Sequence, residues 1–391
     1  MKRLVLCSFL AAATAVLAAA QDESLFREGA YWVRTVNGTV ATPSPERLRV
    51  ETVGNVDVRG AAGNAATYSL KERVRARDAR EAMAEFRKLE VKSGSDGDWA
   101  FLTIRSLGRV SSGLELTLVV PRSLRQTRIE THGGNVQASD LDGDLQTRSA
   151  GGRIHVDGIR GKAELRTAGG DIEVGSVGGV VRCFSGGGNI HVENAGGECW
   201  TETAGGEIFV HQAGGPLHAA TAGGNIRIEH ALATVSARTA GGLIQVQQAD
   251  GAVSAESSGG AIQVNAAKGV QCESAAGAIR LRNVAGALHA SANAGSILAE
   301  LLAGSPLADS ILSANAGDIT VVIPSNLAVT VQARNESGGT GRIMSDFPQI
   351  HQQAAANSGA GPAMAEGALN GGGPVLRINV MGGTIYLRRE K

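Results

Sequence analysis

Eighteen residues separate His155 from Glu173 and Glu173 from His191, and the same interval separates Arg182 from Trp200 and Trp200 from His218. The first set, two imidazoles and a carboxylate, is a ligand set for zinc. The second puts an indole between a guanidinium and an imidazole, a combination that stacks on sugar rings or peptide side chains. Neither set can act unless the fold brings residues 18 apart side by side. On a parallel stack the rungs would lie about 4.8 Å apart and the two histidines about twice that. Tetrahedral ligation needs nitrogens roughly 2 Å from one metal, so a solvated face is the better reading of the histidine column. Phe184 would lie diagonally beside Trp200. Arg182, Phe184, Trp200 and His218 are therefore the candidate ligand contacts, weighed against two plainer readings. Scattered surface aromatics are common, and a loop or terminal segment could cover the spot.

Other chemistry is poorly served. There is no HExxH, CxxC, GxSxG or GxxxxGK followed by Ser or Thr. A nine-residue half-repeat shares its length with the calcium-binding nonapeptide, but Ile and Val stand where that motif carries its glycine and aspartate. No catalytic, cofactor-binding or metal-ligating residue is expected, and no cofactor is implied.

What must position these side chains is a repeat. The copy TAGGNIRIEHALATVSAR runs from Thr221 to Arg238, and its second glycine recurs every 18 residues from Gly134 to Gly260, then at Gly277, Gly295 and, past an insertion around Ser305 to Asp309, Gly317. Fixed periods of this size mark a solenoid. An 18-residue step is also five helical turns, so a helix has to be excluded. Two residues after each anchor stands a β-branched residue, as at Ile208, Ile226 and Ile244, and two further on another apolar one, as at Val210, Ile228 and Val246. Period-two alternation is a strand with one buried face, and a glycine pair in every repeat would cost a helix roughly 2 kcal/mol each time. Nine residues past most anchors a second glycine precedes a weaker alternating pair, such as Val253 and Ala255. One coil is thus two short strands and two corners, and stacked coils form two parallel sheets.

Before each glycine pair comes a hydroxyl: Ser149, Thr167, Ser185, Thr203, Thr221, Thr239, Ser257 and Ser274. In line with the inward positions, these read as a ladder satisfying corner backbone groups. The rival reading, an outward threonine array that orders ice, sits poorly beside Arg148, Arg166, Phe184 and Glu202.

The ends differ from the array. Residues 1–20 read as a secretory signal, with a basic tip, an apolar stretch and Ala18-Ala19-Ala20 before the cut. No later run is long and apolar enough to span a bilayer. The whole chain has 37 basic and 37 acidic residues, and loss of Lys2 and Arg3 leaves a net charge of −2, so nothing in the balance points to nucleic acid or an anionic membrane. Aromatics at 3% and 54 glycines suit a thin repetitive core. Cys183, Cys199 and Cys272 take inward positions of the second strand and read as small buried hydrophobes. Cys183 and Cys199 are two positions out of step, a diagonal of roughly 8 Å that exceeds disulfide reach.

Residues 21–130 form an N-terminal capping region, 131–321 the repeat array and 322–391 a C-terminal capping region. The first holds a degenerate coil at Gly54, Val56 and Val58, and a helix begun by Asp78 and Glu81 with Ala82, Met83 and Phe86 on one face. Val120-Pro121-Arg122-Ser123-Leu124 before the array is echoed by Ile323-Pro324-Ser325-Asn326-Leu327 after it. Residues from about 351 to 374, rich in Ala, Gly and Asn, read as a mobile loop. A stacked rod must blunt its ends, and the helix and the C-terminal excursion are the candidate caps.

The GGxIxV units, the two Pro-x-x-Leu brackets, the RIMSDFP stretch from Arg342 to Pro348 and the closing GGTIYLRR together resemble the bacterial adhesin-type β-solenoid family. That domain family, without an assigned activity, occurs in exported and envelope-associated proteins. The resemblance covers most of residues 45 to 390 and brings no catalytic or binding residues with it. The expected fold is all-β, a parallel β-solenoid of two short strands per coil with one N-terminal helix and elaborated ends. The expected function is an exported, non-enzymatic structural or adhesion module facing cell-surface glycans or proteins, in periplasm, at the cell surface or secreted. Two rivals are a polysaccharide-acting β-helix enzyme, disfavoured by coils of minimum length, and a scaffold polymerising end to end.

Overall fold

The computed structural model describes residues 22–40, 46–108, 113–304, 307–337, 342–353 and 361–390. The expected signal segment lies outside the described residues. Apart from one helix, the regular elements among the described residues are strands, and the repeat folds as its alternation demands. In the coil after Gly224, strand Ile226–Ala231 pairs in parallel with Ile208–Ala213 on one side and Ile244–Ala249 on the other. Strand Val235–Thr239 does the same between Leu217–Thr221 and Val253–Ser257. Residues 18 apart are Cα partners from Val136 to Val264, later coils pair at steps of 17, 18 or 22, and two parallel ladders run the length of the array. They join where strands Ile262–Ser274 and Ile279–Ala292 pass through a corner unbroken. Inward side chains of both ladders form one continuous buried cluster, including Ile226, Ile228, Val235 and Ala237.

Each coil also has an inward position not anticipated from the alternation, seven residues past the anchor at the second corner. It holds Leu141, Ile159 and Val177 at one end, alanine from Ala195 to Ala267, then Val284, all buried; in the next coil a register shift puts Leu301, six residues past Gly295, beside Val284.

The corners explain the sequence most directly. A Cβ placed on Gly224 would lie 2.0 Å from the Gly206 carbonyl oxygen, and one on Gly206 would lie 2.2 Å from that of Gly188. Backbone stacks on backbone there, with no room for a side chain. The first glycine of the pair has no such contact: around Gly223 the nearest atom is 3.8 Å away. Accordingly the first position holds Ala276, Ala294 and Ala316 in later coils, whereas the second stays glycine. The hydroxyl ladder is inward, as read. Thr221 donates from Oγ1 to the Gly206 carbonyl at 3.0 Å and accepts from Gly224 N at 3.2 Å, and Ser149, Thr167, Ser185, Thr203 and Thr239 do the same in their coils. Buried hydroxyls occupied with backbone cannot form an outward ice-ordering array. A second ladder, of amides, runs beside it: Asn135, Asn189 and Asn225 each accept, through Oδ1, the backbone N–H of the residue one coil on.

The slip at Gly277 has a local cause. Val253 pairs with Val270 although Val246 pairs with Val264, so one residue, the equivalent of Ala252, is missing from that corner. Ala266 (φ 51°) and Gly269 (φ 112°) absorb the shortening.

Stacking continues beyond 131–321 at both ends, and the order of rungs there departs from the order of the chain. Strands Arg47–Thr52 and Asn55–Ala61 lie between the array and the outer strands Trp99–Ser106 and Gly113–Pro121. Strands Val375–Gly382 and Thr384–Arg389 lie between the last array coil and the outer strands Val329–Asn335 and Arg342–Ser345. The two Pro-x-x-Leu brackets are matching turns, closed by Leu124 N to Pro121 O and Leu327 N to Pro324 O, each 3.2 Å. At each bracket the chain steps over one rung, and a terminal segment fills the slot.

The helix forms at Ala79–Phe86, capped by Asp78, whose carboxylate accepts from Glu81 N. Glu81 reaches back to Arg77 N, one residue beyond the expected cap. Under the helix Glu72, fully buried, is held by Arg34, which also bonds the Phe86 carbonyl and lies 4.9 Å from the Phe86 ring. The segment read as a loop over 351–374 instead contains strands His351–Gln353 and Ala363–Leu369, the latter antiparallel to Val329–Asn335; residues 354–360 lie outside the described residues.

Candidate functional site

The 18-residue step delivers the expected columns on the outer faces. Arg182, Trp200 and His218 are successive Cα partners on the second sheet. The Trp200 and His218 rings stack with centroids 3.9 Å apart at 29°. Glu202, two residues along the strand and on the same face, accepts from Trp200 Nε1 at 2.7 Å, and the same carboxylate oxygen stands 3.8 Å from His218 Nε2. Partial burial lowers the His218 pKa; Glu202 pulls it upward and Arg238 adds to the lowering, so the ring is neutral at pH 7. A rigid, uncharged aromatic pair results.

Beyond it the column shrinks to Ser236 and Ser254 and rises again at Gln271 and His289. Short side chains between tall ones leave a trough of about 660 Å³ lined by Trp200, His218, Ser236, Ser254, Lys268 and His289. That volume falls within the range of small-ligand sites, roughly 300–1,000 Å³. The serines and His289 were missed in the sequence; the serines follow His218 at 18-residue steps, but His289 falls into the column only once the 17-residue step from Ser254 to Gln271 is counted.

The four expected contacts do not converge. Trp200 and His218 line the trough. Phe184 turns away, lying 4.8 Å from the Arg166 guanidinium and walling a separate corner groove of about 790 Å³ with Ala204, Ala222 and Ala240. Arg182 points toward Glu198 at 3.9 Å and lines neither.

On the first sheet His155, Glu173 and His191 are successive Cα partners. His155 Nδ1 lies 3.3 Å from Glu173, which Arg153 also approaches at 3.5 Å. His191 belongs to other neighbours, Glu193 at 3.8 Å and the Phe209 ring at 4.8 Å. Among the described residues no three His, Cys, Asp or Glu side chains have the arrangement to hold a metal ion. The three cysteines of the array are free and buried. Burial pushes the Cys199 thiol up to about 12 and Cys183 and Cys272 upward as well, so none is a thiolate at neutral pH. Nor does any described helix have the length and apolarity to cross a membrane.

No curated protein matches this chain. Among solved structures it is similar to a candidate cell adhesion protein from Clostridium sporogenes, at 11% identity and a TM-score of 0.20 over 95% of this chain and all of the other. A candidate adhesin from Bacteroides fragilis is similar at 16% identity and a TM-score of 0.24, over 73% of this chain and 95% of the other. Residues 211–358 match the family model described as Toastrack DUF4097. The segment so matched spans the second half of the array and the outer C-terminal coil, and with it the adhesin-type β-solenoid resemblance seen in the repeats is borne out as a match to the Toastrack DUF4097 model.

Proposed function

We propose that the protein is an exported, non-enzymatic adhesion module that presents the outer faces of a rigid solenoid to a glycan or protein partner at the cell envelope. The observation that carries this reading is the trough beside Trp200 and His218. It is a preformed surface with an aromatic wall and a hydroxyl-lined floor, and it is built from rungs that the buried ladders hold in register. Hydroxyls and a neutral aromatic pair suit sugar rings better than they suit proton transfer. The carboxylate beside it, Glu202, is held by the Trp200 indole N–H at 2.7 Å. The leader-like residues 1–20 agree with export.

Trp200→Ala tests the site. Removing the indole deletes the wall and one stacking partner, and affinity for a ligand identified by glycan array or pull-down with the wild-type protein should fall about ten-fold, equivalent to about 1.4 kcal/mol. Phe184→Ala, outside the trough, should leave that affinity unchanged. Equal binding by wild type and Trp200→Ala would remove the trough from the account.

A further inference from the structure

At the N-terminal end of the second sheet's outer face lies a second cluster. Arg47 and Arg49 sit between Trp99 and Phe101 on one neighbouring strand and Gln126 and Arg128 on the other. Strand alternation turns all six outward. The guanidinium carbons of Arg47, Arg49 and Arg128 lie 5.7, 5.3 and 5.9 Å from the Trp99 ring centroid.

Their charges are unevenly answered. Arg47 meets Asp98 at 3.1 Å. Arg128 spends Nε on the side-chain oxygen of Gln146, a neutral partner, at 2.9 Å. Arg49 has no ion pair among the described residues, and its Nε is buried without a hydrogen-bond partner. The carboxylate of Glu51 is turned to Arg105 at 3.4 Å, and Glu130, two positions along from Arg128, pairs with neither arginine. Arg49 and Arg128 are nevertheless direct Cα partners on adjacent rungs, where like charges repel. Several other arginines on the outer faces pair with a carboxylate one rung away or on their own strand, as in Arg238 with Glu256, Arg282 with Glu300 and Arg166 with Glu164.

We propose that Arg49 and Arg128, beside Trp99, form an oxyanion-binding site for a carboxylated or sulfated polysaccharide. Two adjacent guanidinium forks present paired N–H donors to such groups. An anion between them relieves the repulsion. Trp99 and Phe101 add flat apolar surface for sugar rings. The cluster is shallow, so a free ion gains little against its own hydration, whereas a polymer brings several oxyanions and ring faces at once. It also lies in line with the Trp200 column: Arg49, Arg128, Gln146, Glu164, Arg182 and Trp200 are successive partners, and Arg128 to Trp200 is about 19 Å at roughly 4.8 Å per rung. The site stands whether or not the trough takes a ligand.

The test uses the full chain at low ionic strength with four probes: polygalacturonate, dextran sulfate, neutral dextran and sodium sulfate. At least one anionic polymer should bind, more weakly as salt rises, while neutral dextran does not. The double variant Arg49→Gln/Arg128→Gln should bind about ten-fold more weakly while still unfolding cooperatively, because it loses no ion pair and the lost repulsion offsets the lost bond to Gln146 and the two contacts with the Trp99 ring. Arg49→Lys, which keeps charge but not the fork, should fall between. Failure of both polymers to bind, binding of sulfate ion alone, or undiminished binding by the folded double variant would overturn the proposal.

Discussion

Gly224→Ala is expected to cost at least about 3 kcal/mol, while Gly223→Ala, one residue earlier, should be neutral or stabilising. The added methyl at position 224 would lie 2.0 Å from the Gly206 carbonyl oxygen, an atom that is itself part of the stack. No rotamer relieves the clash, because Cβ has none. The corner must open, and opening it breaks the bond from Thr221 to the Gly206 carbonyl. At position 223 the nearest atom is 3.8 Å away and the backbone is not left-handed, so alanine fits and only reduces the freedom of the unfolded chain, worth about 0.4–1 kcal/mol. Denaturant midpoints of the two variants against wild type make the comparison. Since a solenoid can lose coils locally, the slope of each transition should be compared along with its midpoint. Equal effects at the two positions would mean that the glycine pair serves chain flexibility and not close stacking.

Ile226→Asp should abolish cooperative unfolding or soluble expression. Ile226 is fully buried between Ile208 and Ile244, and the facing side chains are apolar. The substitution removes a packed aliphatic group, worth about 2–5 kcal/mol when truncated to alanine. It also places a carboxyl where no donor is available, which adds several kcal/mol whether the group stays charged or takes up a proton. The neighbouring Arg227 points outward, so Arg227→Asp should stay within about 0.5 kcal/mol of wild type. A fully stable Ile226→Asp would contradict the assignment of inward and outward faces.

The architecture was legible because a coil of constant length makes register visible as spacing. Once Ile226, Ile228 and the glycine pair are seen to recur, pairing and facing follow without tertiary information. The inward hydroxyls were legible for the same reason. What sequence did not reveal is what depends on non-repeating contacts. The exchange of rung order at Pro121 and Pro324 involves strands far apart in the chain, paired at separations from 42 residues, as in Arg342 with Thr384, to 80, as in Val56 with Val136. The strand Ala363–Leu369 has small side chains and little alternation, and its conformation comes from pairing with Val329–Asn335 and not from its own residues. At the surface, spacing placed Trp200 and His218 correctly, but rotamers decide the rest. Phe184 follows Arg166, Arg182 follows Glu198, and the trough owes its depth to serines that have no signature of their own.

Pulsed spin-label distances along one outward column test the central claim most directly, and the buried native thiols make labelling of introduced cysteines selective. Gln137, Gln245 and Thr320 share the first-sheet column, six and ten rungs apart by successive pairing. At about 4.8 Å per rung, labels at 137 and 245 should lie about 29 Å apart and labels at 137 and 320 about 48 Å apart. Distances that fail to grow in proportion to the number of rungs would contradict the stacked coil, and with it every outward column assigned to the surface.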